Sequence, residues 1–335
     1  MKKILVVLAA ITLASSPLFS QEADGTGAGV EFTVIPRINL APEFYNDGSG
    51  EFALDNTSLY TLFEGNISEN LSFSVENHWM AFYYTGDDIF ADTKDLYKAT
   101  LKRRNNWLDW ANLTWTSGDF SVTLGKDVVT TGGYEVDEYD FDMHSNMSST
   151  FWNFMNVYQW GAKFGWNAAE DQLLTLQVTT SPFVEKLFDK PWMNYSLGWS
   201  GMLSGIQTLW SVTAMQTASD KFFYIVSLGN KAEFGDFTAG LDLTNASMQF
   251  GGPFYGITAI PSLSWKKSEN LEFFARCGYE HTSDDIVEGS GWFAGAGANW
   301  FPIEDLRVHA TASYNDIFET TCVSLGATWF LRLGK

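Results

Sequence analysis

The chain has 335 residues and a formal net charge of −20, and 16% of its residues are aromatic. Such an acidic balance argues against nucleic-acid binding, which rests on basic contacts to phosphate. Two cysteines do not make a disulfide scaffold, and no window after residue 20 approaches 18 uninterrupted apolar residues, so we expect no transmembrane helix there.

The start of the chain resembles a secretion signal. Lys2 and Lys3 precede an apolar run over residues 4–14, and a small, polar stretch follows up to Ser20. This order is typical of a cleaved signal peptide, and the run is too short to cross a bilayer as a helix. We therefore expect a signal peptide over residues 1–20 and one mature domain over residues 21–335.

From residue 30 onward, apolar and polar residues alternate with a period of two. The stretches 71–81, 306–314 and 323–333 each carry Leu, Val, Ala or Trp on one side and mostly Ser, Thr, His, Glu or Arg on the other. A period of two indicates strands with one apolar and one polar face. The pattern predicts strands near 30–40, 53–66, 70–83, 107–117, 119–130, 155–167, 171–181, 191–202, 205–216, 222–234, 236–244, 255–266, 270–282, 290–301, 305–316 and 320–333.

The connections between these segments are of two kinds. Short turns rich in Gly, Asn, Asp and Ser favour tight hairpins, and they are predicted at 68–70, 117–119, 167–171, 203–205, 234–236, 267–270 and 302–305. Longer connections are predicted at 41–52, 84–106, 131–154, 182–190, 217–221, 245–254, 283–290 and 317–320. Short turns at one end and long loops at the other are typical of outer-membrane barrels.

We therefore predict an all-β fold, a transmembrane antiparallel β-barrel of about 16 strands with short periplasmic turns and longer external loops. Aromatic residues near the strand ends, such as Trp115 and Trp166, fit the lipid headgroup level of a bacterial outer membrane. The alternative is a soluble sandwich with an aromatic core. About sixteen strands would leave a water-filled channel.

One hairpin resembles a known family. Residues 108–115, the turn 117–119, and the stretches 120–127 and 131–135, which include Thr131-Gly132-Gly133-Tyr134-Glu135, are similar to the porins related to phosphate-selective porins O and P. The resemblance implies a sixteen-stranded, usually trimeric barrel with a loop folded into the pore. This acidic chain has no basic ladder comparable to that of the family, so phosphate specificity is not carried over.

Two charged loops are the candidates for a channel constriction. An acidic loop folded inward would favour cations or neutral solutes, whereas an external one would be solvated or held by divalent cations. Residues 140–144 could also hold a metal, although they lack the pattern of a calcium loop. The constriction candidates are Glu135, Asp137, Glu138, Asp140 and Asp142 in loop 131–154, and Lys102, Arg103 and Arg104 in loop 84–106.

The alternation also predicts which charged side chains line the lumen. The lumen-lining candidates are Arg37, Glu76, Lys163, Lys231, Asp242, Arg276 and Arg307.

No catalytic motif is complete, so we expect neither an enzyme nor a cofactor or metal. The predicted function is passive diffusion of small hydrophilic solutes or ions through a porin, as a homotrimer in outer-membrane lipid, with a weak cation or neutral-solute preference. The alternative is a plugged structural or adhesive barrel that binds partners through its external loops.

Overall fold

The computed structural model describes residues 29–53, 57–82, 108–137, 145–149, 156–184, 190–247, 256–283 and 288–333. Eighteen strand segments form a single sheet. Their bounds are β1 Val30–Tyr45, β2 Gly50–Ala53, β3 Thr57–Ser68, β4 Leu71–Phe82, β5 Leu108–Ser117, β6 Phe120–Val128, β7 Tyr158–Ala169, β8 Gln172–Thr180, β9 Met193–Leu203, β10 Ile206–Ala218, β11 Lys221–Phe234, β12 Phe237–Ser247, β13 Gly256–Ser268, β14 Leu271–Ser283, β15 Glu288–Ile303, β16 Leu306–Asn315, β17 Thr320–Trp329 and β18 Leu331–Leu333.

The sheet closes on itself, because β1 has neighbours on both sides. Thr33 lies opposite Leu62 of β3 and also opposite Arg332 of β18. Segments β2 and β3 both pair with β1 and follow one another as one strand, and β17 and β18 do the same. The result is a closed antiparallel barrel of sixteen strands, as the alternation predicts.

All seven short turns are two-residue hairpins at the rim where the described chain begins and ends. Gly118, Gly205 and Gly235 have φ of +57°, +84° and +64°. In these three turns glycine supplies the positive φ without steric cost. The turns at 69–70, 170–171, 269–270 and 304–305 contain no residue with positive φ, and a register shift lies beside each of them. The positions of all seven turns are therefore confirmed, and the glycine signal is confirmed at three of them.

At the opposite rim, the connections expected over 41–52 and 217–221 are shorter than predicted. The loop expected over 41–52 is wrong, because β1 continues to Tyr45 and only 46–49 form the turn. Asp47 accepts hydrogen bonds from both the backbone nitrogen and the hydroxyl of Ser49 at 2.8 and 2.5 Å, and Gly48 has φ of +85°. This local bonding turns the chain without a longer loop. Likewise, β10 ends at Ala218 and β11 begins at Lys221, so the loop expected over 217–221 is a two-residue turn. The connection between β16 and β17, residues 316–319, has the length predicted for the loop 317–320.

The barrel is apolar outside and polar inside. On the outer face, Ile38 is 59% exposed and Leu197 is 55% exposed, whereas inward Thr213 and Thr328 are fully buried. A soluble domain of this size would hide its large apolar side chains and expose its polar ones. The described helical turns include none long and apolar enough to cross a membrane.

Candidate functional site

The connection between β6 and β7 folds along the inside of the barrel. Its base continues the β6–β7 pairing, since the Val129 nitrogen donates to the Val157 oxygen at 2.8 Å. The Thr130 nitrogen then donates to Oε1 of Gln177 in β8 at 2.7 Å, and Oγ1 of Thr213 in β10 donates to the Thr130 oxygen at 2.8 Å. We call its described residues 129–137 and 145–149 the inward segment.

Glycines allow the inward segment to lie directly on the wall. Gly132 and Gly133 have φ of +66° and +82°, and the Gly133 nitrogen donates to the Leu209 oxygen at 3.0 Å. A Cβ on Gly132 would lie 2.8 Å from the Ser211 nitrogen, and a Cβ on Gly229 of β11 would lie 2.8 Å from the Gly133 Cα. Because real Cβ atoms do not approach other atoms so closely, side chains at these positions would lift the segment.

A charged cluster anchors the middle of the inward segment. Asp242, at the centre of β12, accepts a hydrogen bond from the Tyr134 nitrogen at 2.8 Å. The Glu135 carboxylate lies 3.2 Å from Nη2 of Arg276 in β14 and also accepts the nitrogen and hydroxyl of Ser149, at 2.7 and 2.9 Å. Glu135 is only 3% exposed, and burial raises the pKa of its carboxyl to about 7 against the opposing effect of Arg276.

Two small apolar clusters inside the barrel also hold the segment. Val129 packs with Met215, Phe223 and Ile225 of β10 and β11. Met147 packs with Ile260 of β13 and Phe293 of β15. Sequence reasoning missed these contacts, although apolar side chains on the otherwise polar inner face were the available signal.

The far end of the inward segment reaches the strands opposite its base. Nδ2 of Asn146 donates to Oγ of Ser313 in β16 at 3.0 Å and to the Thr320 oxygen of β17 at 3.3 Å. Nδ2 of Asn315 donates back to the Asn146 oxygen at 3.3 Å. The contacts of the segment therefore extend from β8 round to β17.

The predicted lumen-lining residues all lie on the inner, polar side of their strands, and the structure brings some of them together. Asp242 and Arg276 meet the inward segment as described, and Lys231 lies over the Tyr134 ring, with Nζ 4.4 Å from its centroid. Lys163 forms an ion pair with Asp127.

Three other predicted residues lie away from the inward segment. Arg37 of β1 and Arg307 of β16 both lie opposite Thr328 of β17, and Glu76 is buried on β4. Several constriction candidates fall outside the described residues: Glu138, Asp140, Asp142, Lys102, Arg103, Arg104 and the side chain of Asp137.

A further polar group on the inner wall was not predicted. Nδ1 of His78 lies 2.6 Å from Oδ2 of Asp109, and the Tyr60 and His78 ring centroids lie 3.8 Å apart with the ring planes tilted at 52°. The Arg37 guanidinium covers the same tyrosine at 4.5 Å from the ring centroid. The register shifts between Glu76 and Asn77, where β4 meets β5, so strict alternation does not predict where Asp109 points.

The described residues form neither a metal site nor a disulfide. No group of three or more His, Cys, Asp or Glu among them is placed to hold a metal ion. Cys277 is exposed on the outer face and Cys322 is buried, and both are free thiols. The two side chains therefore lie on opposite faces of the barrel wall.

Comparison with known proteins gives matches of structure alone. No protein-family model matches the chain, and no curated protein matches it by sequence. The outer membrane channel DcaP of Acinetobacter baumannii has a TM-score of 0.60 at 11% identity, over 93% of this chain and 99% of that one.

Two more solved structures show the same architecture. OmpT, expressed in the outer membrane of Vibrio cholerae, has a TM-score of 0.58 at 10% identity over 93% of this chain and 100% of its own. A mutant of the Rh. blastica porin has a TM-score of 0.55 at 11% identity over 91% and 100%. At such identities the similarity establishes the fold, which is that of sixteen-stranded outer-membrane barrels.

Proposed function

We propose that the chain is a bacterial outer-membrane porin through which small hydrophilic solutes diffuse passively, without catalysis. The observation that carries this proposal is an inward segment fastened to the polar inner wall of a barrel whose outer wall is apolar. A wall of sixteen strands is wide enough for an aqueous channel, and a segment fixed inside it narrows that channel. The structural neighbours include a protein described as an outer membrane channel and a porin.

The outer surface supports the proposed location. Near the rim of short turns, Phe120 stacks with Trp166, and Phe237 stacks with Trp265, at ring-centroid distances of 6.4 and 5.9 Å. Aromatic rings of this kind favour the headgroup level of a bilayer, while Ile38 and Leu197 face the hydrocarbon. Export by a cleaved signal over 1–20, which lies outside the described residues, and assembly as a homotrimer belong to the same proposal.

We place the passage between the inward segment and the wall formed by β1, β3, β4 and β5. The described part of the segment contacts β8–β17, so among the described residues the opposite sector is the one that we propose for solute. That sector carries Arg37, Tyr60, His78 and Asp109, which mix both signs of charge with an aromatic ring. Mixed charges suit a general channel more than one dedicated to a single anion.

The weak preference for cations or neutral solutes is proposed from the acidic residues of the inward connection. Glu135 forms an ion pair with Arg276 and is buried, so its charge contributes to docking more than to the field in the passage. We assign the negative potential to Asp137, Glu138, Asp140 and Asp142. Lys102, Arg103 and Arg104 of the other long connection are proposed to face them or to lie at the outer rim.

A plugged barrel that acts through its external loops is the second candidate. The observation in its favour is the close coverage of the inner wall, where Ser227, Asn315 and Thr328 are fully buried. Swelling of proteoliposomes in sugars of increasing size separates the two functions. A porin admits small sugars with a size cut-off, and a plugged barrel, verified as folded, admits none.

A further inference from the structure

One polar side chain interrupts the apolar outer face of β4. Asn77 follows Val75 and precedes Trp79 in the alternation, and it lies opposite Thr61 of β3 and Leu108 of β5. Its two chain neighbours lie on the inner wall, and successive side chains of a strand point to opposite faces. The Asn77 amide therefore points out of the barrel.

The amide lies at a depth where the other strands are apolar. Asn77 is six residues from the short-turn end of β4. The outward residues six positions from the same end of β9, β10 and β11 are Leu197, Val212 and Leu228, which are all exposed. An amide that lies among lipid chains without a hydrogen-bond partner is strongly unfavourable, so the position of Asn77 calls for a partner.

The described residues around Asn77 do not supply that partner. Among them, none forms a hydrogen bond with its amide. The Thr61 hydroxyl opposite instead accepts a hydrogen bond from Nε1 of Trp79 at 2.6 Å. The Trp79 ring is exposed on the outer face, yet its N–H bonds the barrel wall and not the polar headgroups that a girdle tryptophan favours. Both observations indicate that this face meets another protein surface.

We propose that the outer face of β3, β4 and β5 around Asn77 is the surface through which copies of this chain meet, and that Asn77 bonds the same amide of a neighbouring copy. An asparagine amide both donates and accepts hydrogen bonds. The same residue from each copy can therefore be satisfied where the copies come together around a symmetry axis. This inference rests on the proposed function in one respect, that the chain assembles as a homotrimer.

The residues around Asn77 favour a second copy over lipid. Lipid chains offer the amide neither a donor nor an acceptor, whereas the same face of another copy offers both. Ala111 of β5, which lies opposite Val75, is small enough to let a second wall approach closely. Phe63 and Leu113 are exposed on the same face and would pack against the neighbouring copy. The face therefore combines apolar packing with one self-complementary polar group.

Cross-linking from Ala111 tests the surface while leaving Asn77 in place. The background is the full-length protein in lipid vesicles with its own thiols removed by Cys277→Ala and Cys322→Ala. Ala111→Cys, treated with a short bismaleimide, should give a band of two joined chains. Leu197→Cys, at the same depth on β9, is the matched control and should give a single-chain band.

A second variant tests the amide itself. Asn77→Leu should raise the dissociation constant of the oligomer on the order of tenfold, without lowering the thermal stability of the single barrel, because leucine is compatible with lipid. Val212→Leu, at the same depth on β10, should leave association unchanged. Analytical ultracentrifugation of the folded protein in detergent measures both.

Four results would overturn the interface. They are a monomeric wild-type protein, an oligomer in which Ala111→Cys is not cross-linked, equal cross-linking of Leu197→Cys, and wild-type association of Asn77→Leu. Conductance of the same samples separates this inference from the proposed function. A monomer that conducts ions would reject the interface and retain the porin, whereas a cross-linked oligomer that conducts none would retain the interface and reject the porin.

Discussion

Gly295 of β15 provides the space that the Met147 side chain occupies. A Cβ at Gly295 would overlap the sulfur of Met147, which is the point where the far end of the inward segment reaches the wall. The close approach of the segment to its wall is therefore encoded partly by the absence of a side chain on β15, far along the sequence from Met147.

Gly295→Ala should lift the end of the inward segment and increase single-channel conductance. Overpacking at such a contact costs about 1–3 kcal/mol, which is enough to shift the segment without unfolding the barrel. Gly297→Ala is the matched control, because the three atoms nearest to its Cβ belong to the wall residues Phe274, Ala310 and Thr311, at 2.6–2.8 Å, and none belongs to the inward segment. Equal conductance changes in Gly295→Ala and Gly297→Ala would contradict the proposal that Gly295 leaves the space in which Met147 docks.

Arg276→Gln should release the inward segment more completely. It leaves the buried Glu135 carboxylate without its guanidinium, and breaking a buried ion pair in this way costs about 3–5 kcal/mol. Arg307→Gln removes the same charge from a buried inner-wall site that bonds Thr328 at 3.4 Å. We expect protease cleavage within the inward segment and raised conductance in Arg276→Gln but not in Arg307→Gln. If both variants showed the same changes, the loss of a positive charge from the lumen would explain them without release of the segment.

Ion selectivity should respond unequally to the acidic residues of the inward connection. Asp137→Asn combined with Glu138→Gln should lower the cation preference, measured as reversal potential in a KCl gradient. Glu135→Gln alone should change it less, because that carboxylate is buried against Arg276. Neutralising Glu135, Asp137 and Glu138 together should give the largest reduction. An anion preference in the wild-type protein would reject the acidic constriction.

An arginine on the outer face should destabilise the barrel according to its depth. Leu197→Arg lies near the middle of β9 and should cost about 2–4 kcal/mol in lipid, whereas Leu203→Arg at the end of the strand should cost about 0–1 kcal/mol. The free energy of unfolding of the two variants in phospholipid vesicles checks this. Equal, small losses would show that Leu197 does not face hydrocarbon.

The strands and short turns could be predicted because their signals are local. Alternation at period two and glycine at positions such as Gly118 and Gly235 act within a few residues. Loop 41–52 was mispredicted because Asp47 and Gly48 make a compact turn that leaves both strands intact. Strand ends at the long-connection rim were generally less well defined than at the short-turn rim.

The docking of the inward segment could not be derived in the same way. It depends on pairs far apart in sequence, such as Gly229 with Gly133 and Arg276 with Glu135, and no periodic pattern connects them. The apolar inward positions Phe223 and Phe293 broke the alternation and were the one local sign that something covers the wall.

Planar-bilayer recording of the purified, folded protein tests the central proposal most directly. We expect discrete steps of ohmic current in KCl, with a step size that increases in Arg276→Gln. A barrel that is folded by circular dichroism and heat-modifiable mobility, yet gives no current in the wild-type protein or in Arg276→Gln, would contradict the porin.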